Sequence, residues 1–277
     1  MQKIKLDDPL PTTLEPLAEL VRTMRSPQFL PSIGKMLEQY FSGIHYVLFF
    51  FDCERRPVLL QDNLSEDLKQ KVLKPYCDRM YLLDPFYRYW LANQRPDFTT
   101  LDSVAPHGFR QSEYFQEYYA PLGLYDEAMC FFQLTETQCF GLSFGFYSHR
   151  QRVEPEHLGQ QVRLLFPVLQ AMVEQFWLSS NLNLQSDDNP AELYLLDNFG
   201  KEVLSSREQE IARLIVLGYS SKGIADRLGI ALGTVKNHRK HLYAKLQINS
   251  QAELFNLFLL YQNKAHWDSQ GGLEGPE

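Results

Sequence analysis

The chain has 277 residues, 44% hydrophobic and 22% charged, with a formal net charge of −7, which is ordinary globular composition with room for two cores. The charge is uneven: residues 1–200 carry 17 Lys and Arg against 26 Asp and Glu, whereas residues 201–266 carry 10 against 5. Basicity is therefore local to the last quarter, and the acidic front is excluded as a nucleic-acid binder.

The opening MQKIKLDDPLPTTL has no apolar signal core, and YVLFFF is far too short to span a bilayer. A cytoplasmic protein with no membrane partner is expected. Helices are predicted near 14–25 and 29–42, followed by a strand over Tyr46 to Phe51, a turn at Glu54 to Pro57 and a second strand over Val58 to Gln61, together a hairpin. Ser65 should open a helix running to Met80, and another should cover Pro85 to Asn93. Helical character is expected from Gly108 to Ala120, alternating strands over Ala128 to Thr135 and Cys139 to Ser148, and a long helix from Glu154 to Ser180. This order predicts an α+β domain over 1–180, an antiparallel sheet covered by helices, in the layout shared by small-molecule sensing modules of the GAF and PAS type.

Cys53, Cys77, Cys130 and Cys139 lack C-x-x-C spacing, and no histidine pair lies at metal-ligand spacing beside them. Buried reduced thiols, no metal and no cofactor are expected. Gly141-Leu-Ser143-Phe-Gly145 spells the G-x-S-x-G of a hydrolase elbow, but that motif needs strand, sharp turn and helix, whereas FGLSFGFY alternates as continuous strand. No enzyme is predicted.

Aromatic residues number 14 among the 52 from 81 to 132, interleaved with acids in LLDPFYRYW, SEYFQEYY and LYDEA. Aromatic walls with convergent carboxylates suit a small-molecule effector bearing an amine or amide donor. Tyr81, Asp84, Tyr87, Trp90, Tyr118 and Asp126 are proposed to line one cavity, with Asp84 accepting a hydrogen bond from the ligand. The same aromatics could be plain core, and Asp84-Pro85 and Asp126-Glu127 could be helix caps or a turn.

Residues 179–190, SSNLNLQSDDNP, are polar and helix-unfriendly, so the connecting segment is placed at 181–200, with AELYLLDNFG forming a short helix closed by Gly200 or a hairpin. Four short helices follow in a domain over 201–265. Ser205 with Glu208 is a capping box, Ile211, Leu214 and Ile215 form the first stripe, and Gly218 stops the helix. Ser220 or Ser221 caps the second helix, which buries Ile224, Ala225 and Leu228 and closes at Gly229. The third starts near Thr234 and buries Val235, Leu242 and Leu246, leaving Lys236, Asn237, Lys240 and His241 outward. Ser250 and Glu253 cap a fourth helix with Leu254, Leu257 and Phe258 inward, and the tail over 266–277 should fray.

A helix, a tight turn and a second helix carrying clustered donors and cations can read the major groove, lysines meeting phosphate or guanine and asparagine adenine. The alternative, lysines merely solvating a bundle, is outweighed by the agreement of periodicity and motif order. Through LSSRE, the Ile224-Ala225 pair and TVKNH followed by KL, about a fifth of the chain resembles the LuxR-type helix-turn-helix regulators. The resemblance implies that Lys236, Asn237 and Lys240 approach bases and that Thr234 and Lys222 lie by phosphates. Three positions depart from the family: Ala231 replaces a capping serine, so that Gly233 or Thr234 must supply that helix end, Gly223 replaces a glutamate, and Gln251 replaces an arginine. The front domain resembles the family's sensory half; its Asp-Pro after a tyrosine-rich helix echoes the autoinducer-binding branch, with Trp90 in place of that branch's two tryptophans.

The expected function is a ligand-responsive bacterial transcriptional regulator, its promoter binding controlled by a small metabolite in the front domain. Double-stranded DNA, a second copy of the chain paired through the 154–180 or 254–260 helix, and RNA polymerase are the expected macromolecular partners. The alternatives are an acyl-homoserine lactone receptor and a response regulator phosphorylated at Asp52, although an acidic pair ending a first strand, needed by such a receiver, is missing because Asp7-Asp8 precedes any strand.

Overall fold

Strand alternation and helix-breaking prolines organise the front half of the chain. In the computed structural model, which describes residues 13–41, 43–93, 95–147, 155–180 and 195–269, the first elements are α1 (Glu15–Thr23), α2 (Phe29–Tyr40), β1 (His45–Asp52) and β2 (Arg55–Asp62). Later come β3 (Asp97–Thr100), β4 (Leu124–Gln133), β5 (Gln138–Tyr147) and α7 (Pro155–Ser179). All five strands join one sheet in the order β2-β1-β5-β4-β3, antiparallel at every pairing. A phosphoacceptor receiver of the doubly wound kind is built on a parallel sheet. The antiparallel sheet here is therefore a different frame, and Asp52 lies at the β1–β2 turn, its carboxylate accepting from the Glu54 amide at 2.9 Å and Gln138 Nε2 at 2.7 Å.

Period-two alternation gives the sheet two different faces. Tyr46, Leu48, Phe50, Phe140, Leu142 and Phe144 point to one, where Leu20, Phe29, Ile33, Val162 and Phe176 of α1, α2 and α7 cover them. Val47, Phe49, Phe51, Met129 and Phe131 point to the other, which receives the aromatic-rich segments between β2 and β4. On that second face β5 carries Cys139, Gly141, Ser143 and Gly145 before Tyr147 at its end, and a side chain at Gly141 would run into the Phe51 ring. The G-x-S-x-G run is thus unbroken strand, and its small residues leave space above the sheet.

The expected helix from Ser65 to Met80 is broken into α3 (Glu66–Leu68), a π-helical turn (Lys69–Leu73), α4 (Lys74–Asp78) and a 3-10 turn (Met80–Leu83). Pro75 has no amide proton to bond the preceding turn, and the backbone widens ahead of it. The same holds for 108–120, expected as one helix and found as short 3-10 and π-helical turns (Phe109–Gln111, Phe115–Tyr119 and Ala120–Leu122) ahead of and around Pro121. Between these segments α5 (Pro85–Asn93) falls where it was predicted, whereas β3 and the short α6 (Leu101–Val104) were not anticipated. Only four residues long, β3 is too brief to show alternation.

After α8 (Leu195–Asn198) and Gly200 at φ +75°, the chain forms α9 (Ser206–Val216), α10 (Ser221–Leu228), α11 (Leu232–Leu246) and α12 (Gln251–Ser269). Of the expected connecting segment 181–200 and tail 266–277, residues 181–194 and 270–277 lie outside the described residues, and α12 runs on through 266–269, where the tail was expected to fray. Ile211, Leu214, Ile224, Val235, Leu242, Leu254, Phe255 and Phe258 form the bundle core, with Leu228 and Leu246 only partly covered. That core is continuous with the second sheet face. The turn after α9 meets the loop before the 3-10 turn at Phe109: the Ser220 amide donates to the His107 carbonyl at 3.3 Å. Gly218 at φ +87° and Gly108 at φ +90° bring the two backbones together, and an added Cβ on either would stand 3.0 Å from a serine Cβ across the junction. No helix among the described residues is long and apolar enough to cross a membrane.

Candidate nucleic-acid interface and ligand pocket

The helix-turn-helix is built by caps. Ser205 Oγ accepts from the Glu208 amide while Glu208 Oε2 accepts from the Ser205 amide at 2.9 Å, closing the capping box at the start of α9. Ser220 Oγ accepts from the Gly223 amide at 3.1 Å, and Gly229 at φ +62° ends α10. The recognition helix α11 begins at Leu232 rather than near Thr234, with Ala231 as its N-cap and no side-chain cap. Gly233 and Thr234, expected to supply that end, are instead in its first turn.

Val235 and Leu242 of α11 face the core, and Thr234, Lys236, Asn237, Lys240 and His241 are exposed, as is Lys222 near the start of α10. The three positions expected to meet bases therefore share one solvent-facing side of one helix. Arg239, which the sequence reading left without a role, holds three helices together. Its guanidinium donates to Ser221 Oγ at 2.8 Å, Tyr243 Oη at 3.0 Å and Gln251 Oε1 at 3.4 Å. Gln251 is thereby an acceptor where an arginine would place a second cation. Behind the helix, Lys245 Nζ lies 2.6 Å from Glu208 Oε2, and that bond, with the Ser205 donors, holds the Glu208 carboxyl down at about 2.

The second sheet face carries a cavity of about 40 Å³. Val72, Leu73, Tyr118 and Tyr119 from the two π-helical turns wall it above, and Glu127, Ser143 and Gly145 lie on the sheet below. Glu127 Oε2 accepts from Tyr119 Oη at 2.6 Å and Oε1 accepts from Ser143 Oγ. Asp84, 2% exposed, accepts from Tyr76 Oη at 2.6 Å and from the Phe86 amide at 2.8 Å. No lysine or arginine among the described residues lines the cavity. Burial, reinforced by the Asp84 charge, pushes the Glu127 carboxyl up to about 8, and burial lifts Asp84 to about 6 against the Tyr76 and backbone hydrogen bonds. The hydroxyl of Tyr114, also buried beside this pair, has no hydrogen-bond partner.

Of the six residues proposed for the pocket, Tyr118 lines it, its hydroxyl donating to the Val72 carbonyl at 2.9 Å. Asp84 sits behind it, bonded to the wall residue Tyr76 and capping α5. Tyr81, Tyr87 and Trp90 are buried packing: Tyr87 meets Tyr81 edge-on at 5.0 Å, and Trp90 stacks on Phe51 at 5.9 Å and donates to Gln133 Oε1 at 3.0 Å. Asp126 turns away toward Arg110, at 3.8 Å. Neighbouring strand residues face opposite sides, so only one of Asp126 and Glu127 can enter the cavity, and unbroken alternation from Met129 and Phe131 gives that place to Glu127. The pattern LYDEA fixes that the two acids face opposite sides but not which side holds the cavity. Glu127, Tyr76, Tyr119 and Ser143 were missed, although Glu127, Tyr119 and Ser143 lie in segments already singled out.

Comparison with known proteins fits this division. Residues 202–258 match the model of the bacterial regulatory proteins of the luxR family. The chain is 33% identical over 184 residues to the HTH-type transcriptional regulator in the exeN 3′ region of Aeromonas salmonicida, covering 64% of this chain and 93% of that protein. It is 43% identical over 53 residues to the oxygen regulatory protein NreC of Staphylococcus haemolyticus, which spans only 19% of this chain and 24% of NreC. The front fold is that of the VqsR LBD domain from Pseudomonas aeruginosa, with a TM-score of 0.50, 23% identity and coverage of 60% of this chain and 97% of that domain. With a relative matched along nearly its whole length and the helix-turn-helix matched by the family model, the chain belongs to the LuxR-type family of HTH transcriptional regulators.

Proposed function

We propose that the front domain is a small-molecule sensor governing DNA binding by α10 and α11, and that its effector carries a protonated amine or an amide donor. The observation carrying this reading is the pair Asp84 and Glu127, two carboxyls recessed among tyrosines with no lysine or arginine among the described residues of the cavity wall. The designation of VqsR's similar domain as an LBD supports a binding role for this fold. A cavity of 40 Å³ is far smaller than the roughly 300 to 1,000 Å³ of common ligand sites, so an effector must part the π-helical turns that wall it. A cation entering there would favour ionised Glu127. Amine binding near pH 7 should therefore release a proton, whereas a neutral amide should not. Calorimetry with alkylamines in buffers of different ionisation heat tests this, and binding heats independent of buffer would remove the ammonium.

On the DNA side, Lys236, Asn237 and Lys240 are proposed to read bases and Lys222 and Thr234 to hold phosphates, supported by their common exposure. Asn237→Ala should relax sequence preference by about 1–3 kcal/mol at one position, while Lys222→Ala should weaken all sequences alike and lower the salt slope by about one. Unaltered affinity and preference in both variants would sink the assignment. A homodimer is also proposed. One recognition helix spans few base pairs, and Leu164 and Leu178 on α7 are 61% and 78% exposed, apolar surface suited to pairing.

A further inference from the structure

Where the front domain meets the helix bundle there is a second cavity, of 290 Å³, several times larger than the one above the sheet. Its front wall comes from α5 and the segment after α6, and its rear wall from α9, the following turn and α10. Arg88, Arg213 and Arg227 all line it, together with Tyr89 and Tyr219, and no aspartate or glutamate among the described residues does. Three guanidiniums converge from three different helices across a domain boundary.

The partners of these arginines leave most of that charge unmatched. Arg213 Nη1 bonds Asp197 Oδ1 at 2.5 Å, yet its Nε is buried with no partner. Arg227 lies over the Tyr219 ring at 5.3 Å and donates to its hydroxyl at 3.3 Å, neither contact supplying a full negative charge. The half-buried guanidinium of Arg88 has no hydrogen bond or ion pair among the described residues. Burial, followed by the charge of Arg213, lowers its affinity for its own proton, with Arg227 acting in the same direction. Like charges gathered at one cavity, two of them half-buried, repel unless an anion joins them, and guanidinium forks match carboxylate and phosphate oxygens. Leu214, Leu217 and Val104 complete the wall and provide apolar surface for a small carbon skeleton.

We propose that this interdomain cavity is a binding site for a small organic dianion, a phosphate monoester or a dicarboxylate, held by Arg88 from the front domain and by Arg213 and Arg227 from the DNA-binding domain. Because the anion touches both domains, it binds only their docked arrangement and shifts the population toward it. The site is separate from the Glu127 pocket and does not rest on the effector proposed there.

The test is thermal unfolding of the full chain titrated with glycerol phosphate, succinate and inorganic phosphate, ionic strength being held constant with sodium chloride. A saturable rise in melting temperature with at least one of the three is expected. Response to the phosphates alone assigns a phosphate ligand, and response to succinate alone a dicarboxylate. Arg88→Gln and Arg227→Gln should each weaken the response about tenfold or more. Arg88→Gln should also raise the melting temperature of the anion-free protein, since it removes one of three repelling charges, whereas a purely structural arginine would lower it. Glu127→Gln should leave the anion response intact. A flat titration with all three anions, or an Arg88→Gln protein that responds like the parent, overturns the proposal.

Discussion

Glu127 in the front sheet and Glu208 in the helix bundle are both withdrawn from water, but their surroundings treat the charge in opposite ways. Glu208, 4% exposed, is met by Lys245 at 2.6 Å and by the Ser205 donors, so its ionised form is favoured. Glu127 meets only the hydroxyls of Tyr119 and Ser143 and another recessed acid, so its protonated form is favoured. In the bundle the acid is part of the scaffold, completing a cap and tying α9 to α11. In the sheet it is an unmatched group beside a cavity, the kind of group a ligand can satisfy. Strongly shifted acids in clefts point to function, whereas the same shift in a closed ion pair points to structure.

The largest expected effect concerns pH. Glu127 and Asp84 bind protons more tightly when folded, so their contribution is fully present below the ordinary carboxyl values of 4.5 and 3.8 and is lost as pH rises through about 6 and then about 8. Glu208 runs the other way: its contribution is present above 4.5 and is lost as pH falls toward about 2. Urea unfolding followed through Trp90 and Trp177 should show the front domain weakening by on the order of 2 to 3 kcal/mol between pH 5 and 9, a figure reduced for the partial contact of Glu127 with solvent. Glu127→Gln should flatten most of that slope. A slope unchanged in the variant would separate the acid from the pH response.

Next in size is the ion pair. Lys245→Met leaves Glu208 enclosed without its cation and should cost about 1–2 kcal/mol at pH 7, less than for a fully buried pair because the lysine side chain is 44% exposed. The loss should shrink below pH 4, where the partnerless carboxyl takes up a proton. Equal losses at pH 7 and pH 3 would mean that the lysine stem, rather than its charge, holds the contact.

The two regions also differ in how far their sequences could be read. In the bundle each feature is local: the Ser205–Glu208 box, the Ser220 cap, Gly229 and the stripe Ile211, Leu214, Ile215 lie within one or two turns of each other. In the front half the apolar run in HYVLFFFD and the alternation of QCFGLSFGFY gave β1 and β5. The pocket was less legible because it depends on nonlocal choices. Which of Asp126 and Glu127 enters it is decided by which sheet face the mid-chain segments cover, and where its walls bend is decided by Pro75 and Pro121 interrupting runs that otherwise read as helix. Tyr81, Tyr87 and Trp90 carry the composition of a binding wall, yet they sit one layer behind it, a depth that composition cannot resolve. The interdomain arginines were equally hidden, since residues 88, 213 and 227 come together only when the two domains dock.

The smallest effect lies at the one place where the legible region breaks its own rule. Ala231 holds an N-cap backbone, φ −65° and ψ 144°, but has no oxygen with which to accept from the first turn of α11. Every other requirement of the cap is met, so Ala231→Ser adds an acceptor for the Gly233 or Thr234 amide without moving the chain. Stability should rise by about 0.5–1 kcal/mol, which for a domain of this size is a few degrees in melting temperature. Ser205→Ala at the completed cap of α9 should lower it by about 1 kcal/mol. Measured together on the full chain, the pair asks whether both helices obey the same capping physics. If Ala231→Ser gave no gain while Ser205→Ala gave its full loss, the orphan amides of α11 would have to be satisfied already, by water or by another group. If instead the gain appeared and DNA affinity fell, those amides would be implicated in phosphate contact, because the new hydroxyl occupies the donors that a phosphate oxygen would use.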